Sequence, residues 1–129
     1  MASDPAVIDS STRQLARQTA DLLVLCVLAD GPQYGYSIMK QVGARSDGAV
    51  RLTPGTLYPL LHELERSKMV LASWETVRAE TDRAGRKRKW YRLSAKGRRK
   101  LEQRAAAHRA FLRMLDAFLP STSGQKEPA

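Results

Sequence analysis

The chain has 129 residues, 43% hydrophobic and 27% charged, with a net charge of +9. This suits a globular fold with one core, and the positive excess favours a polyanionic partner, nucleic acid before an anionic membrane surface. One cysteine, Cys26, excludes an intramolecular disulfide; the longest apolar run, Leu22 to Ala29, falls far short of the about 20 residues of a spanning helix; and the start MASDPAVIDS lacks the pattern of a secretory signal, so a cytoplasmic protein is expected.

Residues 1–12 are small and polar with Pro5, and read as a flexible arm. A first helix is expected from Thr12 to Asp30, ended by Gly31-Pro32. Leu15, Thr19, Leu22, Cys26 and Ala29 form one stripe on it, while Val24, Leu25 and Leu28 face elsewhere. A helix apolar on two faces buries both, one in its own domain and one against a partner. A second helix spans Tyr36 to Ala44 with Ile38, Met39 and Val42 inward, and Arg45 to Arg51 reads as a loop.

Thr53 is placed to cap a third helix, and Pro54 suits its first position, where the missing N–H is harmless. That helix runs to about Ser67, with Leu57, Leu60, Leu61 and Leu64 buried and Thr56, Tyr58, Pro59, His62 and Glu63 left for solvent or a ligand. Val70 to Arg78 and Lys87 to Leu93 alternate as strands, joined by a turn near residues 79–86. Trp74 and Trp90 are expected in or beside the core of that sheet. Ser94 caps a last helix to about Leu119, ahead of a tail at 120–129. Along it Leu101, Ala105, His108, Leu112, Leu115 and Leu119 recur at spacings of four and three, a heptad seam that a two-fold dimer would cover.

The charge is unevenly placed. Ten of the 22 basic residues lie between Arg83 and Lys100 with no acid among them; the other twelve face 13 acids. A surface built only for solubility intersperses its signs. A helix followed by a cationic hairpin is a means of gripping duplex DNA, the hairpin cations meeting phosphates with release of counterions. Enzyme and metal readings find no support: two histidines and one cysteine lie far apart, and there is no glycine-rich phosphate loop or nucleophile elbow.

Four strings, in order, resemble the PadR family of bacterial transcription regulators. They are Tyr34-Gly35-Tyr36, Pro54-Gly55-Thr56-Leu57-Tyr58-Pro59-Leu60-Leu61, Gly85-Arg86 through Trp90-Tyr91-Arg92-Leu93, and Ser94 with Gly97-Arg98. The likeness covers residues 16 to 118, in the subgroup with a single C-terminal helix. It implies a mainly α fold with a small β-wing: a winged helix-turn-helix over 13–93 and a dimerisation helix over 94–119. It further implies a homodimer built on the first and last helices, a third helix in the major groove with the wings reaching the flanking backbone or minor groove, and repression of a neighbouring gene; a palindromic duplex operator is the expected partner. Release by a small aromatic or hydrophobic compound is also implied. Two positions depart from the family pattern: Lys87 stands where proline usually follows glycine-arginine, and Ser67-Lys68 stand where the third helix usually ends at glycine.

The candidate DNA contacts are Tyr36, Ser37 and Lys40 on the second helix, Thr53, Thr56, Tyr58, Pro59 and His62 on the third, and Arg83, Arg86, Lys87 and Arg88 in the wing. Hydroxyls meet phosphates or base edges, and methyl or aromatic surface meets a thymine methyl. Tyr58 also reads as a packing residue, and His62 as an ordinary surface histidine. The candidate dimer interface comprises Leu15, Leu22 and Cys26 with Leu101, Ala105, His108, Leu112, Leu115 and Leu119. An interaction adaptor and an RNA-binding winged helix are the competing readings.

Overall fold

The computed structural model describes residues 10–76 and 87–121. Most of the expected arm and tail, and the hairpin turn near 79–86, lie outside these residues. Where one first helix is expected there are two, α1 (Ser10–Gln18) and α2 (Ala20–Leu28). The break is local to Thr19, whose backbone leaves helical geometry at φ −115° and ψ 17°. Its Oγ1 donates to the carbonyls of Leu15 at 3.0 Å and Ala16 at 3.3 Å, a back-bond that bends helices. The Leu23 N–H still reaches the Thr19 carbonyl at 3.0 Å, so the two helices stay coupled. At the far end Gly31 takes φ +135°, a conformation glycine tolerates, and turns the chain ahead of Pro32.

Gln33–Tyr34 forms β1, a two-residue strand too short to leave a periodic signal. Then come α3 (Gly35–Arg45) and α4 (Pro54–Arg66). Thr53 has the extended backbone of an N-cap, but its hydroxyl makes no capping bond; Oγ1 donates instead to Thr56 Oγ1 at 3.3 Å. The expected cap is thus present in backbone shape and lacks its side-chain bond. At the other end Lys68 adopts φ 64°, donating to the Glu65 carbonyl while Met69 donates to the Leu64 carbonyl, each at 3.0 Å. This reciprocal pair closes a helix in the way a glycine usually does. The departure at Ser67-Lys68 therefore leaves the stop intact, with a lysine in left-handed backbone.

Strands β2 (Val70–Thr76) and β3 (Lys87–Leu93) pair antiparallel, and β1 joins the other side of β3, giving the order β1-β3-β2. Val70 opposes Leu93, Ala72 opposes Tyr91 and Trp74 opposes Lys89 on the face toward the helices. The core unites Val24, Leu25 and Leu28 of α2, Ile38 and Val42 of α3, Leu57, Leu61 and Leu64 of α4, and Val70, Tyr91 and Leu93 of the sheet. Trp74 is not part of it: it lies at the open end of its strand and is 64% exposed. Three helices with a hairpin packed on them form a winged helix-turn-helix.

The last helix, α5 (Ala95–Asp116), starts at Ser94, whose Oγ accepts from the Gly97 N–H at 2.9 Å and donates to the Lys68 carbonyl at 2.6 Å. Lys96 Nζ reaches the Ser67 carbonyl at 2.9 Å, which gives this cation at a helix start a local purpose. A Cβ on Gly97 would lie 2.0 Å from the Met69 carbonyl oxygen, so only glycine allows this approach. The heptad seam does not stay whole. Leu101 is only 9% exposed and belongs to the core of its own domain, which corrects its reading as a free interface residue. Leu22 and Cys26 are half-buried against that same core.

Candidate nucleic-acid interface

Because α4 buries Leu57, Leu61 and Leu64, its helical period turns Gly55, Pro59, His62, Glu63 and Arg66 outward, with Thr56 and Tyr58 on the shoulders; all seven are exposed. Arg66 is the one cation on this face, and Glu63 holds it at 2.7 Å in an exposed pair. Sequence reading missed Arg66, although positions 59, 62 and 66 repeat at helical spacing.

Tyr58 has two surfaces. A Cβ on Gly35 would fall 2.2 Å from its hydroxyl oxygen, so the phenol fills the place of a side chain at the start of α3. This packing links the Tyr-Gly-Tyr string to the third-helix string. The ring is still 44% exposed, so packing does not remove it from the surface. Tyr58 and Glu65 also flank Tyr91, whose hydroxyl pKa is raised, first by burial and then by these neighbours.

On α3, Tyr36 and Lys40 stand exposed one turn apart, with Lys40 Nζ 5.6 Å from the Tyr36 ring centroid. Ser37 is half-buried, and its hydroxyl donates to Gln33 Oε1 at 2.8 Å, so it is engaged within the fold. In the wing, Lys87 is exposed at the start of β3. Arg88 lies with its guanidinium carbon 4.4 Å from the Tyr34 centroid, and Tyr34 meets Trp90 edge-on at 5.3 Å. The Trp90 indole N–H donates to Glu75. Lys89 sits 5.5 Å from both the Trp74 and Tyr91 centroids and pairs with Glu65 of α4 at 3.3 Å, fastening the wing to that helix. Arg83 and Arg86 lie outside the described residues. Thr56, Tyr58, Pro59 and His62 thus share one helix with Thr53 at its N-cap, Tyr36 and Lys40 lie on another, and Lys87 and Arg88 in the wing.

No group of three or more metal-ligating side chains occurs among the described residues, and no helix among them is long and apolar enough to cross a membrane.

An exposed helix between a second helix and a β-wing, with cations on both flanks, defines the class: a winged helix-turn-helix protein built to present α4. Residues 24–103, more than half of the chain, match the Transcriptional regulator PadR-like family, and the chain belongs to it. The family is one of regulators, not of enzymes. Among solved structures the chain is similar to a PadR family transcriptional regulator from Eggerthella lenta, 27% identical with a TM-score of 0.69, covering 94% of this chain and 96% of that one. It is also similar to a PadR family transcription regulator from Clostridium difficile, 29% identical with a TM-score of 0.66, covering 79% of this chain and 99% of that one. A transcriptional regulator from Clostridium thermocellum shares the fold at 20% identity, with a TM-score of 0.71 over 83% of this chain and 99% of that one.

Proposed function

We propose that the protein is a homodimeric repressor that binds a palindromic duplex operator and releases it when a small hydrophobic or aromatic compound binds between the subunits. The observation that carries the DNA reading is the outward face of α4, exposed along its length and free of apolar cover. In this reading Thr56, Tyr58, Pro59 and His62 meet base edges in the major groove, and Thr53 meets the backbone at the groove's rim. Tyr36, Lys40, Lys87 and Arg88 hold flanking phosphates, with Arg83 and Arg86 extending that contact. Ser37 acts by positioning Gln33 rather than by touching DNA. Support for the dimer comes from the distal half of α5, where Phe111, Leu112 and Met114 are exposed, and from the turn after it, where Phe118 and Leu119 are exposed. Leu15 on α1 is exposed as well. A ligand between these apolar surfaces would alter the angle between the two DNA-binding heads. That would spoil their match to successive major grooves about 34 Å apart.

The test is fluorescence-anisotropy binding to duplex from directly upstream of the protein's own gene, against a shuffled duplex, at salt from about 50 to 200 mM. Binding that persists at the higher salt for the natural sequence alone is expected. Equal and salt-erased binding to both would overturn sequence-specific regulation at that site.

A further inference from the structure

The sequence reading treats Arg45 to Arg51 as a connecting loop. In the structure it is one wall of a depression of about 410 Å³ between α3 and the approach to α4, lined by Met39, Lys40, Gly43, Gly48, Arg51 and Leu52. Two cations border it, both exposed, and neither Lys40 nor Arg51 has an acidic partner among the described residues. The nearby ion pair is Arg45 with Asp30, 3.2 Å apart; it uses a different arginine.

The loop is tied down. Ser46 Oγ donates to the Val42 carbonyl at 2.8 Å and accepts from the Val50 N–H at 3.0 Å. Gly48 N–H closes onto the Gly43 carbonyl at 2.8 Å. Arg51 thus follows directly on a stretch of backbone that is tied down through Val50. Its guanidinium lies over Gly48, 3.7 Å from where a Cβ would stand. The walls are glycine at two places, and a Cβ on Gly43 would meet nothing within 4 Å. Open backbone between two cations that have no acidic partner among the described residues admits a compact tetrahedral anion, and a planar guanidinium matches its oxygens in a bidentate way. Tyr36, Lys40 and Gly43 follow one another along a single face of α3, so the depression continues the exposed strip beside the start of α4.

We propose that this depression seats one phosphate of the DNA backbone, held by Arg51 with Lys40 opposite, and that Arg51 is a DNA-positioning residue. The proposal rests on the DNA-binding reading above. It assigns the contact nearest the entry of α4 into the groove, where it would set the helix's depth and register while carrying no sequence information of its own.

The test measures affinity and its salt dependence on the operator and shuffled duplexes for the unaltered protein, Arg51→Ala, Lys40→Ala, the double variant, Gly43→Ala and Gly43→Glu. Gly43→Glu places a carboxylate in open space on a helix, so folding is kept, as circular dichroism and melting would verify. Arg51→Ala should lower the slope of log affinity against log salt by about one unit and weaken both duplexes by the same factor. Lys40→Ala should do likewise. The double variant should lose little more than either alone, because both serve one phosphate. Gly43→Glu should weaken both duplexes and Gly43→Ala neither. An unchanged slope in Arg51→Ala, beside a reduced slope in a Lys87→Ala control, overturns the notch and leaves the DNA reading standing. Failure of the unaltered protein to bind either duplex overturns both. If Arg51→Ala keeps the slope but loses thermal stabilisation by inorganic phosphate, the site takes a free anion and the backbone assignment is wrong.

Discussion

The two halves of α5 carry the same heptad pattern and live in different environments. At the proximal half Leu101 is in the core, Ala105 is half-buried, and Arg104 reaches Asp21 on α2 at 2.8 and 3.2 Å. At the distal half Phe111 is 54% exposed and Leu112 58% exposed. The difference teaches that a periodic apolar stripe states only that a face needs cover. Which half is covered from within depends on its neighbours, and α2 is joined to the proximal half through Asp21 and Arg104.

The strongest test separates the halves by substitution. Leu101→Ala removes a core side chain and should lower unfolding free energy by about 2–5 kcal/mol in denaturant titration. Leu112→Ala should change the stability of the dissociated chain by no more than about 0.5 kcal/mol. It should instead weaken the proposed self-association by roughly tenfold or more in sedimentation equilibrium, since a leucine buried at an interface contributes about 1.5–3 kcal/mol. A chain that tolerates Leu101→Ala, or that unfolds on Leu112→Ala at dilutions where it is already monomeric, would erase the distinction.

Next in size is the foot of the docked half. Gly97→Ala would force its methyl against the Met69 carbonyl and should destabilise by about 1–3 kcal/mol. Because Ser94 and Lys96 bond the same turn, thermal melting should fall together with protection of the first-turn amides of α5 in hydrogen exchange. Loss of protection confined to the distal half would contradict this.

A smaller effect comes from the ion pair between α2 and α5. Burial pushes the Asp21 carboxyl up, but hydrogen bonds and charge from Arg104, with the Leu22 N–H, outweigh it, so its pKa lies below the ordinary value of 3.8. A depressed folded pKa means the pair's contribution is complete above that value and is lost as pH falls through the folded one. Both side chains are about a third exposed, which limits the pair to roughly 1 kcal/mol or less. Arg104→Gln should therefore flatten the acid limb of the stability profile below about pH 4 and leave its slope near neutrality unchanged. An unchanged acid limb would show that the pair does not fasten the docked half.

Much of this was legible in the residues. Pro54 and the leucines of α4 place that helix to within a residue, the alternation from Lys87 to Leu93 matches β3 as it stands, and the four family strings point to the family that residues 24–103 match. What escaped depended on distant partners. The break at Thr19 is a hydroxyl choosing a backbone carbonyl, which a stripe cannot reveal. β1 exists because Gln33 and Tyr34 meet Tyr91 and Trp90 across the sheet. Trp74 reads as lying in or beside the core of the sheet, and the register with Lys89 and its exposure put it beside the core. Arg51 was hidden in a loop whose shape comes from Ser46 and two glycines. Helical period makes the outward face of α4 legible, whereas the depression beside Arg51 needs α3 and the following loop brought together.

The smallest prediction concerns the socket that receives α5. Lys68 holds φ 64° while its carbonyl accepts from Ser94, so its backbone cannot relax without releasing the docked half. A left-handed residue with a side chain carries about 1–2 kcal/mol of steric cost that glycine avoids. Glycine in turn loses more chain entropy on folding, roughly 0.5–1 kcal/mol. The balance favours glycine, and Lys68→Gly should stabilise the fold by about 0.5 kcal/mol, read as a small rise in denaturation midpoint at unchanged slope. A fall in that midpoint would mean that the Lys68 side chain contributes to the α4–β2 turn through contacts that outweigh its backbone strain. The foot of α5 would then be held by more than Ser94, Lys96 and Gly97.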